Sequence, residues 1–162
     1  MYSQVKQFTE ESTGIQTPAT PQSFNRKEAE FIVSMVCSEM NEMLQTVCVD
    51  MEDCRRTMEK CITVDVKSQI QKPATLREKI NDQADSLTDA IYYILNAASK
   101  KGIDIDATFQ EVHRANMDKK DRATGKFLRR EDGKIIQPYG WKEPCIGKVL
   151  FPPSNDTPDV NS

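Results

Sequence analysis

The clearest order along the chain is a spacing of apolar side chains by three and four residues, the period of a helix that packs one face. Ile32, Met35, Val36, Met43 and Val47 form such a stripe and predict a first long helix over about residues 26–49. Asn25 followed by Glu28 has the spacing of a capping box at its start. Ile80, Ala84, Leu87, Ile91, Ile94, Leu95 and Ala98 predict a second long helix over about residues 75–101. Thr75 with Glu78 would open it, and Gly102, behind Lys100 and Lys101, would stop it in the left-handed region. Shorter helices are expected over about residues 51–61 and 106–119, the latter capped by Asp104 or Asp106 and anchored by Phe109 and Val112. Near the N-terminus Val5 and Phe8 mark a short helix, and Gly14, Pro18 and Pro21 interrupt regular structure after it. Residues 62–74 are mixed, with Val64 and Val66 alternating before Pro73.

The pattern changes after Lys120. Gly125, Gly133, Pro138, Gly140, Pro144 and Gly147 break up any long periodicity. An irregular lobe is expected from about residue 121, with a small hairpin turning at Glu131, Asp132 and Gly133. One domain is expected over residues 1–150, and residues 151–162 read as a disordered tail. The total of 162 residues is enough for a single domain with its own core.

Charge removes several classes of function. Lys and Arg total 22 against 25 Asp and Glu, a formal net charge of −3, so the chain as a whole has no electrostatic case for nucleic acid. No stretch of about 18 apolar residues exists to span a membrane. The N-terminal segment is polar and carries acids, unlike a secretory or transit leader. The five cysteines include no Cys-x-x-Cys pair, which argues against a zinc ribbon or a disulfide framework and for reduced thiols in a cytoplasmic setting. Cys54 and Cys61, seven apart, would share one helix face as small packing residues. The lone His113 is expected as a packed or surface histidine, since no soft-metal ligand set surrounds it in the sequence. Trp141, like Tyr139, is read as a packing anchor of the lobe before a base-stacking platform.

The acids of the two long helices carry the candidate chemistry. Glu39 and Glu42 are three apart and project to one side. On a helical wheel Glu39 falls inside the apolar stripe and Glu42 at its edge. A carboxylate there needs a partner, either a divalent cation or a Lys or Arg from another helix. Asp82, Asp85 and Asp89 form a ridge along the second long helix, opposite its main stripe. Such a ridge alone is an ordinary solvated face. Two facing helices with paired acids would make an oxygen cage suited to Mg²⁺, with Mn²⁺ as a substitute, and open to water and phosphate oxygens. Between residues 118 and 134 seven bases outnumber four acids, a local excess that could meet a triphosphate. No P-loop and no Gly-x-Gly-x-x-Gly turn is present.

These residues resemble a known family, the all-α nucleoside triphosphate pyrophosphohydrolases that include MazG, the phosphoribosyl-ATP pyrophosphohydrolases and the dimeric dUTPases. Their signature is Glu-x-x-Glu on one helix and Glu-x-x-Asp on the next. Glu39 and Glu42 match the first half; Asp82 and Asp85 match the second, with Asp82 one methylene shorter than the family's Glu. The opening VKQF with the Gly and two Pro that follow it, the run from Asp82 through Asp106, the segment FQEVHRANMDKK and the run GKFLRREDGKIIQPYGWKEP are similar to the single-domain phosphoribosyl-ATP pyrophosphohydrolase-like branch, over roughly residues 4–150.

The resemblance implies an all-α, MazG-like bundle of four to five helices with a small C-terminal lobe, completed as a homodimer or homotetramer. Phe31, Met40, Leu44, Tyr92 and Tyr93 lie off the main stripes and agree with helices that need more than one neighbour. It implies Mg²⁺-dependent cleavage of a nucleoside triphosphate between the α and β phosphorus. Glu39, Glu42 and Asp85 would be metal ligands, Asp82 a direct or water-bridged one, and Asp89 an accessory. Asn116 and Lys119 match the family's Asn-x-x-Lys on the phosphate side, and Lys126, Arg129 and Arg130 are further candidates there. Hydrolysis of phosphoribosyl-ATP in histidine biosynthesis would use the same acids. From another class, a helical interaction protein would use them only to bind cations or make salt bridges.

Overall fold

The computed structural model of the chain describes residues 1–62, 73, 75–131 and 133–152. Among the described residues its regular structure is helical apart from two isolated antiparallel bridges, Lys120 with Phe127 and Arg129 with Ile135. The elements are α1 (Tyr2–Thr13), α2 (Arg26–Gln45), α3 (Met51–Ile62), α4 (Leu76–Ser99), α5 (Ile105–Met117) and the short α6 (Ile146–Leu150). The expectations for residues 63–72 and for the tail from residue 153 lie outside the described residues. No described helix is long and apolar enough to cross a membrane.

Local chemistry sets the helix ends. Asn25 Oδ1 accepts from the Glu28 N–H at 3.1 Å, and Glu28 Oε2 accepts from the Asn25 N–H at 2.7 Å. That reciprocal pair satisfies two of the donors a helix start leaves open. Thr75 and Glu78 repeat the arrangement at the start of α4. Asp104, not Asp106, caps α5 by accepting from Ala107 N–H at 2.9 Å. After α4 the Ile103 N–H reaches the Ala98 carbonyl and the Gly102 N–H reaches that of Ser99. This is a Schellman stop, and it needs the φ of 68° that Gly102 adopts. Helix α2 ends four residues before the expected 49. The Thr46 hydroxyl bonds back to the Met43 carbonyl at 2.7 Å, and the chain then turns into the start of α3. There Asp50 accepts from Asp53 N–H, and Asp53 accepts from Val49 N–H. The short α6 has no apolar periodicity long enough to predict it.

The chain forms two compact units, one of Thr20–Thr88 and one of Met1–Ala19 with the chain from Asp89 onward. In the first, α2 packs on α3, and Cys54, buried, donates its thiol to Asn41 Oδ1 at 3.4 Å. Cys61, expected on the same face as Cys54, is exposed near the end of α3. Burial and the neighbouring Cys54 push the Cys48 thiol up, which keeps it protonated. The Gln83 amide pairs both ways with the backbone of Phe24, at 2.9 and 3.2 Å, and pins the segment before α2 to α4. The stripe of Ile32, Met35, Val36 and Met43 remains exposed in the single chain.

In the other unit α1 and α6 pack on α5. Gln4 and Gln110 exchange side-chain hydrogen bonds of 2.7 and 3.1 Å. Phe8 meets Phe127 edge to face with centroids 5.4 Å apart, and Lys120 pairs with Glu11 beside that ring. His113 stacks flat on Phe109, as a packed histidine would.

Candidate functional site

Glu39 and Glu42 lie on α2, and Asp82 and Asp85 on α4, all within the unit Thr20–Thr88. All four are exposed, and so is Asp89 further along α4. The other acids of these helices are occupied. Glu28 and Glu78 close capping boxes, Glu30 pairs with Arg26, and Glu52 and Glu59 both bind Arg55. Asp53 binds Arg56 and the Val49 N–H. On α1 and α5, Glu10, Glu11 and Glu111 are likewise engaged. Among the described residues Glu39, Glu42, Asp82, Asp85 and Asp89 make no side-chain hydrogen bond or ion pair. The helices thus separate acids that hold structure together from acids left open to solvent.

Glu39 therefore does not sit buried among apolar neighbours, as its wheel position suggested, because the stripe around it is itself exposed in one chain. Asp82 lines a cavity of about 430 Å³ with Phe24, Ile32, Val33 and Leu87. Among the described residues no three or more His, Cys, Asp or Glu side chains gather closely enough to hold a metal ion. The donor chemistry of the two pairs is nonetheless that of a hard divalent cation: carboxylate oxygen only, unpaired and open to solvent. The residues present fit Mg²⁺ better than zinc, whose sites draw on His and Cys.

The basic candidates divide by what already holds them. Lys119 Nζ donates to Asn116 Oδ1 at 2.8 Å and lies 5.1 Å from the centre of the Trp141 ring. The two residues read from the Asn-x-x-Lys spacing therefore form one unit with the indole. Trp141 is an anchor, its Nε1 donating to the Ala115 carbonyl at 2.7 Å. Arg129 is taken up by the backbone: Nε donates to the Ser12 carbonyl at 2.9 Å, and another guanidinium N–H reaches the Gly133 carbonyl. It ties the turn of the lobe to the end of α1. Arg130 N–H meets the Lys134 carbonyl across that turn, close to where the hairpin was expected. Lys126 is exposed, with its carbonyl accepting from Asp121 N–H.

Sequence reasoning passed over Glu111. It grips Arg114 and accepts from the Cys145 N–H at 2.8 Å, joining α5 to the start of α6. Arg114 first, and the Cys145 N–H next, hold its carboxyl well below the usual range, at about 2. Only the spacing of Glu111 and Arg114 was visible in advance, and it says nothing of Cys145.

Comparison with known proteins bears on the fold and the family. The fold matches that of a protein from Exiguobacterium sp. 255-15, solved by crystallography and provisionally named an NTP pyrophosphohydrolase. The TM-score is 0.75, with 24% identity over 88% of each chain. No curated protein matches. The model of the phosphoribosyl-ATP pyrophosphohydrolase family matches residues 6–116, a stretch that takes in both acid pairs and Asn116 and stops short of the basic lobe. With more than half of its length inside that match, the chain belongs to the phosphoribosyl-ATP pyrophosphohydrolase family.

Proposed function

We propose that this protein is a Mg²⁺-dependent nucleoside triphosphate pyrophosphohydrolase that releases a nucleoside monophosphate and pyrophosphate. The observation that carries the reading is the set of four unengaged carboxylates, Glu39 and Glu42 on α2 and Asp82 and Asp85 on α4, all inside the stretch that the family model matches. Acids that stabilise nothing in the fold are available for a ligand. Bound by these carboxylates, Mg²⁺ would supply charge neutralisation for phosphate oxygens and a more acidic water.

The chain's own groups do the rest. Glu39, Glu42 and Asp85 would hold the metal, with Asp82 a direct or water-bridged ligand and Asp89 an accessory. One carboxylate of the set accepts the proton of the attacking water as its oxygen bonds to the α phosphorus. The bond from that phosphorus to the bridging oxygen breaks in line, and pyrophosphate leaves. Asn116 and Lys119 take the phosphate side, with Lys126 and Arg130 nearby in sequence, while Arg129 positions the lobe. A homodimer or homotetramer would cover the exposed apolar faces of α2 and α4, among them Phe31, Val33, Tyr92 and Tyr93. A cytoplasmic role in clearing the nucleotide pool fits this chemistry.

The test is product identity with Mg²⁺ across a panel of canonical and modified nucleotides, resolved by ion exchange. Monophosphate plus pyrophosphate is expected, and Glu42→Gln should abolish it; metal-dependent turnover surviving in that variant would overturn the site. Phosphoribosyl-ATP is the second substrate to try, because the matching family is described by its hydrolysis.

A further inference from the structure

Where the irregular lobe meets the end of α5 lies a cavity of about 550 Å³, wholly within the unit that contains α1, α5 and α6. That is a volume in which nucleotide-sized ligands are commonly held. Its charged lining comprises Arg114, Lys120, Arg122 and Lys142 against Asp118 and Asp121. Most of that charge is already used. Arg114 binds Glu111 and Asp118, and Lys120 binds Glu11. Asp121 accepts from both the N–H and the hydroxyl of Thr124 at 2.8 Å. What remains is positive: Arg122 and Lys142 make no ion pair or side-chain hydrogen bond among the described residues.

Both cations sit on braced backbone. Arg122 follows Asp121 in a turn closed by the Gly125 N–H on the Asp121 carbonyl at 2.8 Å. Lys142 follows a second turn, closed by the Trp141 N–H on the Pro138 carbonyl at 3.0 Å. Gly140, with φ of 76°, gives that turn its type II geometry and leaves Tyr139 at the apex with its ring wholly in solvent. An aromatic ring held clear of the protein beside two unspent cations is the chemistry that meets a base and a phosphate chain.

We propose that this cavity is a nucleotide-binding site in which Arg122 and Lys142 take the phosphate chain and Tyr139 stacks on the base. The assignment goes beyond the hydrolytic reading and needs neither the acid pairs nor a metal.

Trp141 lines the cavity and is the single tryptophan of the chain, so its emission reports on the site. Full-length protein in EDTA is titrated with inorganic pyrophosphate and with an α,β-methylene nucleoside triphosphate. A saturable change in emission is expected with both, tighter for the nucleotide. The double substitution Arg122→Ala with Lys142→Ala should weaken both by about tenfold or more, the scale of a lost charge-assisted contact. Tyr139→Ala should weaken the nucleotide and leave pyrophosphate unchanged. These side chains hold nothing else in the described structure, so the variants fold.

No change in emission, equal affinity in the double variant, or a change that follows protein concentration (a second copy at the Tyr139 turn) would overturn the proposal. Glu42→Gln leaves these affinities in place, which separates failure of the cavity from failure of the hydrolytic site. A raised KM in the double variant would identify the bound nucleotide as substrate. An unchanged KM with weakened binding would identify a second nucleotide; both results support the site.

Discussion

The indole N–H of Trp141 closes on the carbonyl of Ala115 at 2.7 Å, and Ala115 is 1% exposed. One side chain thereby fastens the irregular lobe to α5, with Lys119 over its ring. Trp141→Phe keeps an aromatic ring and removes the donor. The loss should be about 1 kcal/mol, near the usual net value of a hydrogen bond. For a chain of this size that is a fall in Tm of about 2–4 °C. Trp141→Ala should cost more, because it also removes apolar contact. Thermal unfolding of the two variants checks the order, and equal Tm values for all three proteins would show that the lobe is held elsewhere.

The division between engaged and unengaged acids predicts a division between stability and activity. Glu39→Gln, Glu42→Gln and Asp85→Asn remove no contact seen in the described structure, so each should stay within about 0.5 kcal/mol of the parent. Asn25→Ala removes the cap of the helix that carries two of these acids and should cost about 1 kcal/mol. The acid variants should lose turnover with unchanged urea midpoints, and Asn25→Ala should show the reverse emphasis. An acid variant that unfolds early would mean its carboxylate is structural.

Much of this fold could be read from local rules, because its start and stop signals are local. Asn25 with Glu28, and Thr75 with Glu78, are reciprocal hydrogen bonds between near neighbours, so spacing alone reveals them. Gly102 works the same way. Contacts across long sequence separation were not legible. Arg129 looked like a free base until its guanidinium met Ser12, 117 residues away. The acids looked alike in sequence. Only the structure shows that Glu52 and Glu59 are held by Arg55 while Glu39 and Glu42 are open. The wheel put Glu39 inside the apolar stripe but could not tell that a single chain leaves the stripe uncovered.

Acid should loosen the junction of α5 and α6. The Glu111 carboxyl is held down to about 2 from its ordinary 4.5 by Arg114 and the Cys145 N–H. A group depressed in the folded state adds stability that is complete above its unfolded value and is lost as pH falls through the folded one. The window is therefore from about pH 4.5 down to about 2. Glu10, Glu11 and Asp121 are shifted in the same direction by Thr17, Lys120 and Thr124 respectively. Urea midpoints at pH 5 and pH 3 should fall steeply in the parent and less steeply in Glu111→Gln. Identical slopes would assign the acid sensitivity to other carboxylates.

Asp82 is one methylene shorter than a glutamate and lies on the wall of a cavity it shares with Phe24 and Leu87. If Asp82 reaches the metal only through a water, Asp82→Glu should replace that bridge with a direct bond. The apparent Mg²⁺ requirement should then fall severalfold, with little change in Tm, since the side chain engages no protein group among the described residues. Asp82→Asn should raise the requirement, because it removes a charge from the donor set. Activity measured against Mg²⁺ concentration separates the cases. If Asp82→Glu raises the requirement instead, the shorter side chain is already a direct ligand and the cavity is shaped around its length.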